Sequence, residues 1–226
     1  MMLDFKFQEA CQTVRARAGI YETLARGFLK EPDSSFATRL GELLEILRPL
    51  LDLDLILEDC YIYDQELLTQ EYYDRIFVPS SGKYVPPFES AIVGRMAAGD
   101  ILSYGPLNGS ETRHVLACYR SVGFNHEELE IFKPVRYLRL ADYLGFELAF
   151  AAYLCYAQAG EDRSEAAHYK WQELQKIFIE QHLGRWCKDY ASLVEIAAPG
   201  FYVVLSKLAA AWVVYDLNSE LQGKGD

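Results

Sequence analysis

A seven-residue recurrence of apolar residues near the start of the chain is the feature that most constrains the fold. The recurring residues are Phe7, Cys11, Val14, Ala18, Tyr21, Ala25 and Phe28. Positions three, four and seven residues apart share one face of an α-helix. The spacing therefore predicts a long amphipathic helix, which Glu31-Pro32 ends.

Helical periods continue along most of the chain. Asp33 or Ser34 is placed to cap a second helix, which Pro49 bends or ends. Ser164 is placed to cap a helix in the second half. Further helices are expected at about 64–77, from 110, at about 135–159, 164–182 and 186–197, and from 201. No run alternates apolar and polar residues for more than a few positions, so no sheet is predicted.

Two stretches of the chain lack a helical period. Residues 78–88 contain three prolines and one glycine, which exclude a helix and a central strand. A second irregular stretch follows at 97–109. Long loops are uncommon in compact domains and often carry function. We predict one all-α helical-bundle domain over residues 1–226, with irregular loops at about 78–90 and 97–109, the first of them a proline-rich central loop.

The chain is net acidic, with 22 Lys and Arg against 33 Asp and Glu and a formal charge of −11. Nucleic-acid backbones are bound through clustered cations, so nucleic-acid binding is not expected. A short basic peptide, in contrast, would be attracted to this charge. Half of the residues are apolar, 51%, which is enough for a sizeable core and excludes a disordered chain.

Short motifs exclude several functions. The five cysteines include no Cys-x-x-Cys pair, so we expect reduced, buried thiols in a cytoplasmic protein. No phosphate-binding loop, dinucleotide fingerprint or nucleophile elbow occurs, and His182 and Cys187 are too far apart in helical register to form a nucleophile pair. We predict no catalytic residue and no cofactor. We also expect no signal peptide and no membrane-spanning helix, since the most apolar stretch, 201–217, is short and contains Lys207.

Two Glu-x-x-His pairs give an alternative function. Glu111 with His114 and Glu165 with His168 are half of the di-metal carboxylate pattern of helical bundles. Each pair also directly follows a serine suited to cap its helix, where glutamate is favoured by the helix dipole. No metal ligand is assigned, but a helical di-metal or redox protein stays open as the alternative.

The most informative stretch combines an apolar helix end with the proline-rich loop. The residues that share the apolar helical face are Tyr73, Ile76 and Phe77. Pro86-Pro87 holds the following backbone extended, so we expect Phe88 and Glu89 to be presented to a ligand. An apolar patch beside a rigid loop is typical of a peptide groove. The same residues could equally be core, with the prolines only routing the chain.

Three segments resemble the TorD/DmsD/NarJ family of cytosolic chaperones for molybdenum enzymes. The family's aromatic-x-x-Leu-Phe helix end and its Pro-Pro-Tyr/Trp-(Glu)-Ser motif correspond here to Tyr73, Ile76, Phe77, Pro86, Pro87, Phe88, Glu89 and Ser90. In the second segment, 139–150, Asp142 matches the aspartate of the family motif. The TorD and DmsD branches have histidine at the next position, whereas Tyr143 of this chain is more similar to the NarJ branch. The third segment is similar to Phe-x-x-x-His-Leu-x-x-Trp, with Phe178, His182, Leu183 and Trp186.

The resemblance implies a TorD-like helical chaperone that is not an enzyme. Family members bind the N-terminal region, often a twin-arginine leader, of a molybdopterin-containing oxidoreductase subunit, which assists cofactor insertion and delays export until the enzyme is mature. The implied setting is the cytoplasm, as a monomer or dimer, without nucleic acid or stable membrane insertion. The implied peptide-binding residues are Tyr73, Ile76, Phe77, Pro86, Pro87, Phe88, Glu89, Ser90, Asp142, Tyr143 and Glu147.

These residues suit such a leader chemically. The apolar patch would take the apolar segment of the leader, and Glu89, Asp142 and Glu147 would take its arginines through charge-assisted hydrogen bonds. We expect Asp142→Ala and Phe77→Ala to weaken partner binding while the fold survives. Alternatively, Asp142 and Glu147 belong to a solvated helix face. A ligand-binding regulator is a third function, but the sequence contains no basic recognition helix to support it.

Overall fold

Helices dominate the part of the chain that the computed structural model describes, which is residues 2–51, 64–99, 101–134, 139–160 and 164–222. This confirms the predicted all-α fold class. In chain order the helices are α1 (Met2–Leu29), α2 (Ser34–Leu47), α3 (Gln65–Ile76), α4 (Glu89–Val93), α5 (Ser110–Ser121), α6 (Leu144–Gln158), α7 (Glu165–Gln181), α8 (Leu183–Ala197) and α9 (Phe201–Gln222). The assignment of the whole chain to one domain stays a prediction.

The apolar stripe of α1 faces the core, as its spacing predicts. Its buried members are Cys11, Val14, Ala18, Tyr21, Ala25 and Phe28. The helix packs along α6, and α9 contacts it as well. A buried ion pair fixes α1 to α9, with Arg17 Nε 2.6 Å from Asp216 Oδ1, and the Tyr21 hydroxyl donates to Asp216 Oδ2 at 2.8 Å. Both charges are removed from water, and the hydrogen bonds that they make here offset part of the cost of burying them.

Helix α3 secures the break between α8 and α9. The Arg75 guanidinium donates to three carbonyl oxygens at the end of α8, those of Val194, Ala198 and Pro199. The Glu71 carboxylate accepts hydrogen bonds from the first two backbone N–H groups of α9, at 2.9 and 3.2 Å. The cation therefore lies at a helix C-terminus and the anion at a helix N-terminus, as the helix dipoles favour.

The helix expected at about 135–159 begins later in the structure. Residues 135–138 lie outside the described residues, but residues 139–143 are not helical, and α6 starts at Leu144. Arg139 has a positive φ of 45°, and Tyr143 pairs with Phe88 in an isolated antiparallel bridge. The prediction was wrong here because the backbone around Tyr143 and Leu144 pairs with a segment distant in sequence. This pairing outweighs the local helix propensity.

The two irregular stretches contain short elements. In the proline-rich loop, Pro79–Ser81 forms a 3₁₀ turn, and α4 begins at Glu89. In the second stretch, β1 (Met96–Ala98) and β2 (Ile101–Ser103) pair as an antiparallel hairpin, so the expectation of no sheet was wrong. Strands of three residues are too short to show a period of two. Among the described helices, none is both long and apolar enough to cross a membrane.

Candidate functional site

The two motif segments that carry the resemblance meet in space. Next to the bridge between Phe88 and Tyr143, the Glu89 N–H donates to the Asp142 carbonyl at 3.0 Å, and the Leu144 N–H donates to the Pro87 carbonyl at 2.9 Å. The end of the proline-rich loop is thus extended and paired with the residues at the N-terminus of α6. The prolines suit this position because they pre-set extended backbone and need no donor.

Asp142 acts as a structural cap within this pairing. Its side chain is fully buried, and its Oδ2 accepts hydrogen bonds from the backbone N–H of Ser90, at 2.9 Å, and from the Ser90 hydroxyl, at 2.6 Å. The Ser90 hydroxyl also lies 3.0 Å from the hydroxyl of Thr112, on α5. The carboxylate therefore accepts a hydrogen bond from a free backbone N–H in the first turn of α4. Through the Ser90 hydroxyl it also links α4 to α5.

Glu89 is buried beside a histidine from the third motif segment. Its Oε2 lies 2.6 Å from His182 Nδ1, and its Oε1 lies 3.5 Å from the guanidinium of the half-exposed Arg185. Burial disfavours the imidazolium, but hydrogen bonds with Cys118 and Glu89 and the charge of Glu89 outweigh it and raise the pKa of His182 to about 9. The His182 ring is therefore protonated at neutral pH, and it lies against Glu89 in the interior of the protein.

Glu147 is a buried carboxyl that forms no ion pair with any residue in the described part of the chain. The Trp186 indole N–H donates to its Oε2 at 3.2 Å, while its Oε1 has no hydrogen-bond partner among the described residues. Burial, together with the charges of Glu89 and Asp142, raises the pKa of Glu147 well above its usual value. Both effects favour the protonated, neutral form of this side chain over the carboxylate.

Most of the predicted peptide-binding residues are not on the surface. The buried ones are Ile76, Pro86, Pro87, Phe88, Glu89, Ser90, Asp142, Tyr143 and Glu147. The expectation that Phe88 and Glu89 are presented was wrong, and so was the alternative of a solvated helix face. The other two, Tyr73 and Phe77, are half-buried and meet half-buried Phe132 with ring centroids about 6.0 Å apart. We call these three residues the aromatic patch.

A cleft beside the aromatic patch was not predicted from the sequence. It has a volume of about 550 Å³ and lies between α1, α2 and α6. Its lining includes apolar Leu29, Phe36 and Leu129 and the charged side chains of Arg26 and Lys30. The cleft and the aromatic patch are neighbours, because the N–H of Phe132 in the patch donates to the carbonyl of Leu29 in the cleft lining at 2.8 Å.

The two Glu-x-x-His pairs do not form one metal site. His168 contacts Gln158 through both ring nitrogens, whereas His114 Nδ1 lies 2.8 Å from His182 Nε2. His168 and His182 lie at opposite ends of α7, 14 residues or about 21 Å apart, so His114 and His168 are far from each other. The side chain of Glu165 lies outside the described part of the chain. The di-metal alternative was therefore wrong.

Comparison with known proteins identifies the family. The family model described as nitrate reductase delta subunit matches residues 29–192, about three quarters of the chain, and this range contains all three motif segments. No curated protein and no solved structure gives a significant match. The chain therefore belongs to the nitrate reductase delta subunit family, a family of maturation chaperones for molybdoenzymes, as its resemblance to TorD/DmsD/NarJ chaperones implies.

Proposed function

We propose that this chain is a non-catalytic cytoplasmic chaperone that binds the N-terminal region, or twin-arginine leader, of a molybdopterin oxidoreductase subunit. Through this binding it assists cofactor insertion and holds back export until the enzyme is mature. The observation that carries the proposal is the family match over residues 29–192. The net charge of −11 supports it, because an acidic surface attracts an arginine-bearing leader.

The aromatic patch and the adjacent cleft form the surface to which we assign leader binding. Of the eleven residues implied by the resemblance, only Tyr73 and Phe77 are partly exposed, and Phe132 completes their patch. An apolar leader segment would pack on these rings. Two carboxylates lie close by, Glu31, which accepts a hydrogen bond from Tyr73 at 2.6 Å, and Glu130, whose side chain is 94% exposed. Glu31 is partly exposed and Glu130 pairs with Lys30 at 3.1 Å, so leader arginines would compete with Tyr73 and Lys30 for these two carboxylates.

The nine buried residues have a different part in this proposal. Asp142, Glu89 and Tyr143 fix the proline-rich loop against α6, and the Tyr143 hydroxyl donates to the Phe28 carbonyl in α1 at 2.6 Å. In this conformation they support the binding surface and do not contact the peptide. A preorganised surface loses less entropy on binding, which is the physical reason to bury such a framework.

The test uses synthetic leader peptides of the molybdoenzymes encoded in the source genome, with a fluorescent label for anisotropy. We expect at least one leader to bind, and Tyr73→Ala and Phe77→Ala each to weaken it by about tenfold or more, the range of an interface aromatic. Ile196→Ala, at a side chain that is 81% exposed on α8, is the matched control and should change nothing.

Two further outcomes separate the parts of the proposal. A leader with both arginines replaced by lysine keeps its charge but loses bidentate pairing, so weaker binding of this peptide supports the role of the carboxylates. If both aromatic variants bind like the wild type, the aromatic patch is not the site. If no leader and no N-terminal peptide of a molybdoenzyme binds the wild-type protein, the proposed function is wrong.

A further inference from the structure

Three metal-ligating side chains converge where α5 meets the junction of α7 and α8. His114 Nδ1, Cys118 Sγ and His182 Nε2 all lie within 4.8 Å of one another. His114 and Cys118 are four residues apart on α5 and so share one face of that helix. Neither His114 nor Cys118 belongs to the aromatic patch or to the lining of the adjacent cleft.

The orientation of His182 is that of a metal ligand with an outer carboxylate. Its Nδ1 is held by Glu89 Oε2 at 2.6 Å, which leaves Nε2 directed towards His114, at 2.8 Å, and Cys118, at 4.0 Å. In metalloproteins a carboxylate on the remote nitrogen fixes the ring and raises the basicity of the ligating nitrogen. Glu89 is completely buried, so its hydrogen bond with His182 is shielded from solvent.

The spacing of the ligand atoms suits a zinc ion. Tetrahedral zinc has bonds of about 2.0–2.1 Å to nitrogen and 2.3 Å to sulfur, which place neighbouring ligand atoms about 3.3 to 3.6 Å apart. The observed 2.8 and 4.0 Å differ from these values by about 0.5 Å. The third separation, between His114 Nδ1 and Cys118 Sγ, is within 4.8 Å, so zinc binding requires these two side chains to approach by up to about 1.2 Å. His114 is exposed and Cys118 half-buried, so both side chains can adjust and the ion can reach the site from solvent.

We propose that His114, Cys118 and His182 bind Zn²⁺, with Glu89 as the outer partner of His182 and a fourth position open to solvent. Mixed nitrogen and sulfur ligands favour zinc over magnesium or calcium, which prefer oxygen. Binding displaces the proton between the two histidines and that of the thiol, as at any His and Cys site. The bound ion ties α5 to the α7–α8 junction. This proposal does not depend on leader binding.

The test is a titration of the purified, chelator-stripped protein with Zn²⁺ and, as a spectroscopic probe, with Co²⁺. We expect one ion per chain, the visible absorption of tetrahedral cobalt, and a thiolate-to-cobalt charge-transfer band. Cys118→Ser should abolish that band. Cys118→Ser and His114→Gln should each weaken zinc binding by about 100-fold or more, because loss of an outer partner alone costs about 10- to 100-fold.

Controls keep the result specific to this site. His114 and Cys118 lie at the surface of α5, so their variants should fold, which far-ultraviolet circular dichroism verifies. His168→Gln is the matched control, since that histidine contacts Gln158 at the far end of α7, and it should bind zinc like the wild type. Absence of the charge-transfer band, or zinc binding that Cys118→Ser and His114→Gln leave unchanged, would overturn the proposal.

Discussion

Replacement of the buried Glu147 by glutamine should make the chain less sensitive to rising pH. The carboxyl is fully buried, and burial and the charges of Glu89 and Asp142 raise its pKa well above the usual value. In the unfolded chain it titrates at about 4.3. Between these two pKa values the unfolded chain releases a proton that the folded chain keeps, so the free energy of unfolding falls as pH rises.

The size of the effect follows from the linkage relation. Each pH unit between the unfolded and folded pKa values lowers the free energy of unfolding by about 1.4 kcal/mol. A folded pKa above 7 makes the wild type lose about 2.5 kcal/mol from pH 5 to pH 7 relative to Glu147→Gln, whose amide does not titrate, and a lower folded pKa gives a smaller loss. The variant carries a pH-independent cost of about 1–3 kcal/mol for an imperfectly paired buried amide. The slope of the difference, and not its value at one pH, is the diagnostic quantity.

Urea denaturation of both proteins at pH 5, 6 and 7 measures this slope. In the difference between the free energies of unfolding of wild type and variant, the contributions of groups that titrate alike in both proteins cancel. Glu42→Gln, at an exposed position of α2, is the matched control and should give a flat difference. A flat difference for Glu147→Gln as well would refute the conclusion that burial raises the pKa of this carboxyl.

Two further variants test contacts that hold the helices together, and urea denaturation measures both. Gly200→Ala should lower the free energy of unfolding by about 2–4 kcal/mol, because φ is +148° and the added Cβ would clash with the Glu71 carboxylate that caps α9. Gly82→Ala, with φ of +75° and nothing within 4 Å of the Cβ, should cost only about 1–2 kcal/mol. Equal losses in the two variants would contradict the role of Glu71 as a cap. Asp216→Asn should lower the free energy of unfolding by about 3–5 kcal/mol, because it leaves Arg17 buried without its counterion. Replacing both residues by an apolar pair should recover most of this loss. A loss below about 1 kcal/mol in Asp216→Asn would show that the ion pair is not buried in solution.

Local signals in the sequence were sufficient for the helices but not for the buried polar cluster. Asp33 and Ser164 cap their helices as predicted, with hydrogen bonds to the N–H groups three residues on. Such caps depend only on neighbours in sequence. Asp142 instead bonds to Ser90, 52 residues away, so its environment cannot be derived from periodicity, and a charged residue is expected on the surface. The same limit applies to His182, whose partners Glu89 and Cys118 come from two other helices.

The burial of Asp142 changes how binding data on the motif residues must be interpreted. Asp142→Ala removes the acceptor of two hydrogen bonds at the start of α4, so the expectation that this variant keeps the fold intact no longer follows. A loss of partner binding in that variant would report a displaced loop as readily as a lost contact. Binding data for Phe77→Ala are easier to interpret, because Phe77 is half-buried in the aromatic patch and is not part of the buried polar cluster. Binding measured together with the free energy of unfolding therefore separates residues that contact the partner from residues that hold the surface in place.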